Sequence, residues 1–148
     1  SGLQFDGQDV SRLLQGATVG PRPARFWQWN RYQPMAHCNA AMRDGPWKLV
    51  WPWIPEARVK DPSDNAPYYY GLTHPHQLMP VEPALPVRRL SEPRAPQLFN
   101  LNADPAEARD LIRRDPDRAA KMINAWDNWF DRMRVEWEKT YAQNIRPD

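Results

Sequence analysis

The sequence predicts an α+β domain: a small antiparallel sheet of about four strands, packed against a long C-terminal helix, with a long proline-rich loop inserted between them. Three observations predict it. Aromatic and polar residues alternate with period two in the first third of the chain, which marks strands. Apolar residues recur at three- and four-residue steps in the last third, which marks a helix. The prolines, 17 in all, crowd between Pro52 and Pro96, and so separate strands from helix in the segregated order of an α+β chain. A chain of 148 residues has the size of one domain with one core, and residues 1–148 are read as a single domain.

The first element lies in "FDGQDVSRLLQG", residues 5–16. Asp6-Gly7 is a turn signal, Asp9 a candidate N-cap, and Val10, Leu13 and Leu14 fall at helical spacing before Gly16, which predicts one or two helical turns. In "ARFWQWNRY", Trp27 and Trp29 share one face while Phe26, Gln28 and Asn30 share the other, as in a half-buried strand.

Residues 38–43 and 47–54 predict the next two strands, with Trp47, Leu49, Trp51 and Trp53 on one face and Lys48 on the other. Asp44-Gly45 between them is a hairpin signal. A two-residue loop made of that pair would need the amide of residue 46 to bond the carbonyl of Arg43, and Pro46 has no amide hydrogen. The expectation is therefore a longer loop or a bulge, with Trp47 as the first well-paired residue and Arg43 holding the hairpin through hydrogen bonds or an ion pair.

From Pro55 to about Pro96 periodicity is lost, and so long a loop in a compact domain is either functional or disordered. "PQLFNL" predicts the fourth strand. "DPAE" then places Asp104 as N-cap, Pro105 at the first helical position and Glu107 at the third, a capping box that predicts a short helix. Asp115 and Pro116 repeat the device. Ala119, Met122, Ile123, Trp126, Trp129, Phe130, Met133, Trp137 and Tyr141 follow as one apolar stripe, predicting a helix over about 116–142.

Composition narrows the function. Twenty Lys and Arg against eighteen Asp and Glu leave a net charge of +2, interspersed along the chain. No basic block offers itself to a row of phosphates, so nucleic acid is not an expected partner. No run approaches the ~18 uninterrupted apolar residues of a membrane span, and the first residues lack the pattern of a secretory signal; the chain is expected to be soluble, with its compartment open. A single cysteine, Cys38, excludes an internal disulfide and a cysteine-rich zinc site.

Four stretches taken in order, "FDGQDVSRLL", "RFWQW", "AAMRDGPWKLV" and "QLFNLNADPAEARDL", resemble the C-terminal part of the sulfatase family, the arylsulfatase type within the alkaline-phosphatase-like superfamily. The third resembles the family's hairpin, with Arg43, Gly45, Trp47 and Lys48 at the family's spacing. The fourth resembles its "Leu-Tyr-Asp-Leu" strand leading into an Asp-Pro-x-Glu helix start. The resemblance spans residues 5–111 and implies a four-stranded antiparallel sheet on a C-terminal helix. It also implies a parent that hydrolyses sulfate esters with a formylglycine, matured from the cysteine of a Cys-x-Pro/Ala-x-Arg motif, beside a calcium ion.

That machinery is not expected in this chain. Cys38 is followed by Asn39-Ala40-Ala41-Met42 and fails the motif at its proline and arginine positions. Sulfate-ester hydrolysis calls for a nucleophile, positive charge against the sulfate oxygens and an acid for the leaving oxygen. No nucleophile is recognisable, so the chain alone is expected to be inactive, with no catalytic residue, metal or cofactor of its own. Its expected partner is the catalytic sulfatase domain of the parent chain, and through it a sulfate-ester substrate.

The candidate substrate-pocket residues are His74, His76 and His37. In some arylsulfatases the excursion after the "Trp-Lys" strand brings a histidine to the active-site mouth, which would be the role of His74 or His76; the alternative is two solvated loop histidines. His37, just before a strand, is either pocket-facing or a structural histidine. A lone His-x-His without a third ligand does not make a metal site.

Trp27, Trp29, Trp47, Trp51 and Trp53 support a second class of function. Aromatic side chains bury about 150–250 Å² each, more in sum than one helix can cover. The surplus fits either a face that meets a missing catalytic domain, in which case the isolated chain self-associates, or a non-catalytic carbohydrate-binding module or other interaction module.

Overall fold

The computed structural model describes residues 9–18, 20, 22–30, 34–59, 73 and 89–145, with side chains to Lys139. Its elements are a short helix α1 (Ser11–Leu14), strands β1 (Arg25–Gln28), β2 (Ala40–Asp44) and β3 (Trp47–Trp51), a 3₁₀ turn (Pro55–Arg58), strand β4 (Gln97–Asn100) and a long helix α2 (Pro116–Ile145). The strands form one antiparallel sheet in the order β1-β2-β3-β4. This is the α+β architecture expected from the sequence.

The hairpin departs from expectation in an instructive way. Asp44 pairs directly with Trp47, so the loop is two residues long after all, but it consists of Gly45-Pro46 rather than Asp44-Gly45. Gly45 has φ +54°, and proline cannot follow it into positive φ, so the turn is the type II′ form with glycine first. In this frame the amide that closes the turn belongs to Trp47, and the missing amide of Pro46 costs nothing. The Pro46 carbonyl accepts a bond from Leu101 N at 2.8 Å, and Arg43 Nε donates to the Gly45 carbonyl at 3.0 Å.

Helix α2 starts where Asp115-Pro116 predicts. Asp115 Oδ1 accepts from the backbone N of Arg118 at 3.2 Å and its Oδ2 from Arg118 Nε at 3.0 Å, which satisfies an otherwise unpaired first-turn amide. The stripe then buries Ala119, Met122, Trp126 and Phe130 against Ala40, Met42, Leu49, Trp51 and Leu98 of the sheet. Trp126 is 0% exposed. Its Nε1 donates to the Ala36 carbonyl at 3.0 Å, and its ring packs 5.0 Å from those of Trp51 and Trp129. Phe26 of β1 stacks on Trp129 at 4.9 Å.

The short helix expected at Asp104 does not form. Residues 101–110 are a string of turns, and Glu107 sits at φ +55°, incompatible with a right-handed helix. Asp104 still acts as a cap, accepting Arg109 N at 2.8 Å, but what it closes is a loop. The physical reason is that the Glu107 side chain is engaged elsewhere, on Lys48.

The core of the proline-rich segment lies outside the described residues, as does the Asp6-Gly7 turn. Its two ends are described and meet: Ser91 Oγ donates to Glu56 Oε1 at 2.8 Å, and Leu90 packs on a small cluster of Cys38, Ile54 and Ala57. Among the described residues no helix is long and apolar enough to cross a membrane.

Candidate functional site

Two regions of the sheet bear on function. The first is the framework that joins the hairpin to the segment after β4. Lys48 Nζ bonds both carboxylate oxygens of Glu107, at 2.6 and 2.8 Å. Asp110 Oδ1 accepts the amides of Leu98 and Ile112 at 3.0 and 2.9 Å, while Leu111 N donates to the Leu98 carbonyl at 2.7 Å. The acids of "ADPAEARDL" thus supply bonds that strand pairing leaves unmade along β4.

The second region is the sheet face turned away from α2. Alternation places Arg25, Trp27, Ala41, Arg43, Lys48, Val50 and Phe99 on that face. Its β3–β4 side is occupied, because Glu107 reaches Lys48 there and Phe99, paired with Lys48 in register, is buried. The β1–β2 side is open. Trp27, Trp29 and Trp53 are 50%, 53% and 59% exposed, and with Asn39, Ala41, Val50 and Arg58 they line a shallow apolar hollow.

Trp53 departs from the sequence expectation that put it with Trp47, Leu49 and Trp51. The strand stops at Trp51, Pro52 breaks the alternation, and Ile54 takes the next buried position. Trp53 joins Trp29 instead, and the Arg58 guanidinium lies 4.7 Å from the Trp29 ring centroid and 5.6 Å from that of Trp53. The cation covers a face of each indole and tethers the 3₁₀ turn to the sheet.

Asn39 was not singled out from the sequence. Its backbone is left-handed, φ +50°, its Oδ1 accepts Ile54 N at 2.8 Å, and its carbonyl accepts Trp29 N at 3.1 Å. It thereby sets where both Trp29 and the Trp53 segment leave the sheet. Asparagine's tolerance of this backbone region is the signal that could have found it.

Of the three histidines, His37 lies on the α2 side of the sheet. Its Nε2 is 2.9 Å from Asp127 Oδ1, and its ring stacks on Trp51 with centroids 5.1 Å apart. These contacts join the approach to β2 to the helix. His74 and His76 lie outside the described residues.

Two carboxyls have shifted acidities. The backbone amide of Glu56 and then the Ser91 hydroxyl hold the Glu56 carboxyl below its ordinary value. Bonds from the Ser11 hydroxyl and amide do the same for Asp9 at the start of α1. Neither group lies in the open hollow. Among the described residues no three His, Cys, Asp or Glu side chains gather to hold a metal ion. Cys38 is buried in a small cluster with Ile54 and Ala57.

Compared with family models and with curated proteins, the chain matches none.

Proposed function

We propose that this chain is the C-terminal subdomain of an arylsulfatase-type sulfatase and that it docks the open side of its sheet against the catalytic domain of the same parent. The observation that carries this reading is the bidentate Lys48–Glu107 pair, which locks together the two longest stretches that resemble the family. The exposure of Trp27, Trp29 and Trp53, which line one shallow hollow on the open side of the sheet, supports a docking role, because an exposed apolar patch of this kind on a small domain marks an interaction site.

In this reading the parent hydrolyses sulfate esters with formylglycine and calcium supplied by its catalytic domain. The present chain is structural, and its proline-rich segment contributes His74 or His76 to the substrate pocket. Expressing the parent as two pieces divided before Ser1 tests this. The catalytic piece should be insoluble or inactive alone and regain aryl sulfate turnover when co-expressed with the 148-residue chain, which should show none by itself. Turnover by the isolated chain, or full activity of the catalytic piece without it, would sink the proposal.

The exposed tryptophans also favour a second reading, a non-catalytic carbohydrate-binding module. Arg58 already occupies a face of Trp29 and of Trp53, which leaves Trp27 as the least encumbered platform. A monomeric chain whose tryptophan fluorescence responds to a polysaccharide would select this reading over docking.

A further inference from the structure

The open sheet face has a second, chemically different end. At the hairpin turn, Arg22, Pro23, Arg25, Trp27, Arg43 and Gly45 line a cavity of about 150 Å³, and no carboxylate is among them. Arg25 and Arg43 stand directly opposite one another in the β1–β2 register, on the same face. Like charges so placed weaken a sheet, and a sequence that keeps them has an unmet demand for negative charge at that point. Among the described residues none of the three arginines makes an ion pair, whereas Arg118 and Arg134 each have a carboxylate within reach.

The geometry is also partly fixed in advance. Arg43 Nε donates to the Gly45 carbonyl, so its guanidinium is held at the turn while its two terminal nitrogens keep their donors for another acceptor. A guanidinium offers paired donors in a planar fork that matches the oxygens of a sulfate or phosphate group. At ~30 Å³ per water, the cavity has room for a tetrahedral oxyanion. Trp27 supplies one apolar wall, suited to the carbon skeleton that carries the anion.

We propose that Arg22, Arg25 and Arg43 form a binding site for a tetrahedral oxyanion, the sulfate or phosphate group of a monoester, with Trp27 against the ring or chain that bears it. Among the described residues no nucleophile or acid lines the cavity, so the proposed site binds the anion without a reaction step. The inference stands on these residues alone and does not rest on the sulfatase reading.

The test uses the 148-residue chain with sodium sulfate, sodium phosphate and, at matched ionic strength, sodium chloride, since general screening must be separated from site binding. Sulfate or phosphate should raise Tm in a saturable way that chloride does not reproduce, with a matching shift of the Trp27 indole resonance. Response to one oxyanion alone identifies which monoester the site takes. Arg25→Gln should raise Tm in chloride, by removing the like-charge pair, while weakening the oxyanion response about tenfold, the loss expected for one charge-assisted bidentate contact. Arg22→Gln should weaken the response without touching the strand pair, and Arg132→Gln on the exposed side of α2 should leave it unchanged. Equal effects of chloride and the oxyanions, or an undiminished response in the Arg22 and Arg25 variants, would overturn the proposal.

Discussion

Lys48 Nζ sits between the two carboxylate oxygens of Glu107, 2.6 and 2.8 Å away, and so ties the second strand of the hairpin to the connection that leaves β4. The side chains are 28% and 33% exposed, so solvent screens the pair only in part. Lys48→Met and Glu107→Gln should each lower stability by about 1 kcal/mol, the upper range for partly exposed pairs. A double-mutant cycle from urea unfolding should return most of that loss as coupling energy. Glu107→Gly separates the pair from the backbone: it relieves the positive φ and should unfold less readily than Glu107→Gln.

The hairpin frame depends on Gly45. Its φ of +54° admits glycine at no steric cost, and no atom lies near an added Cβ, so Gly45→Ala isolates the backbone term. It should cost about 1 kcal/mol. Gly20→Ala, where space is equally open and φ is not in the left-handed region, should be neutral or slightly stabilising. Equal effects at the two positions would contradict the type II′ turn.

Trp126 joins α2 to β3 and to the Ala36 carbonyl at once. Trp126→Ala should cost about 3–5 kcal/mol, comparable to the whole stability of a small domain, and leave the chain unfolded by circular dichroism. Trp126→Phe keeps most of the packing but leaves the Ala36 carbonyl without its donor. A loss of about 1–3 kcal/mol is expected for that group, read from the urea midpoint.

Acid should loosen the joint between the two ends of the proline-rich segment. The Glu56 carboxyl is held below its ordinary 4.5 by its own backbone amide and by Ser91. A group with a depressed folded value contributes its full stabilisation above the unfolded value and loses it as pH falls through the folded one. Stability should therefore drop below about pH 4.5 through this group. Glu56→Gln should flatten that part of the stability profile and leave the slope near neutrality unchanged.

The open face should govern self-association. Trp29→Ser combined with Trp53→Ser should shift the isolated chain toward monomer in sedimentation measurements without a comparable loss of stability, because both side chains are more than half exposed and outside the α2 core. Unchanged association would remove this face as the docking surface.

The parts of the fold that repeat a period were legible in the sequence. The stripe from Ala119 to Phe130 and the alternation around Trp27 each satisfy one geometric rule many times over, and both formed as expected. Isolated positions where two local rules compete were not legible. Pro46 fits a hairpin once the loop moves by one residue, and the register that moves it is set by the pairing of whole strands. "DPAE" obeys a capping rule, yet Glu107 leaves the helix for Lys48, a partner distant in sequence. The division of tryptophans between a buried and an open face was half visible, because Pro52 displaces Trp53 from an alternation that Trp47 and Trp51 obey. The arginine cavity was hidden for the same reason: only the β1–β2 register brings Arg25 opposite Arg43.

The sulfatase reading is tested most directly by sequencing the gene upstream of the codon for Ser1. A Cys-x-Pro/Ala-x-Arg motif in the same reading frame, within a domain that continues into this chain, is the expected result. A frame that opens at or just before Ser1, or that continues upstream without that motif, would contradict the proposed parent and leave the open tryptophan face to a binding module.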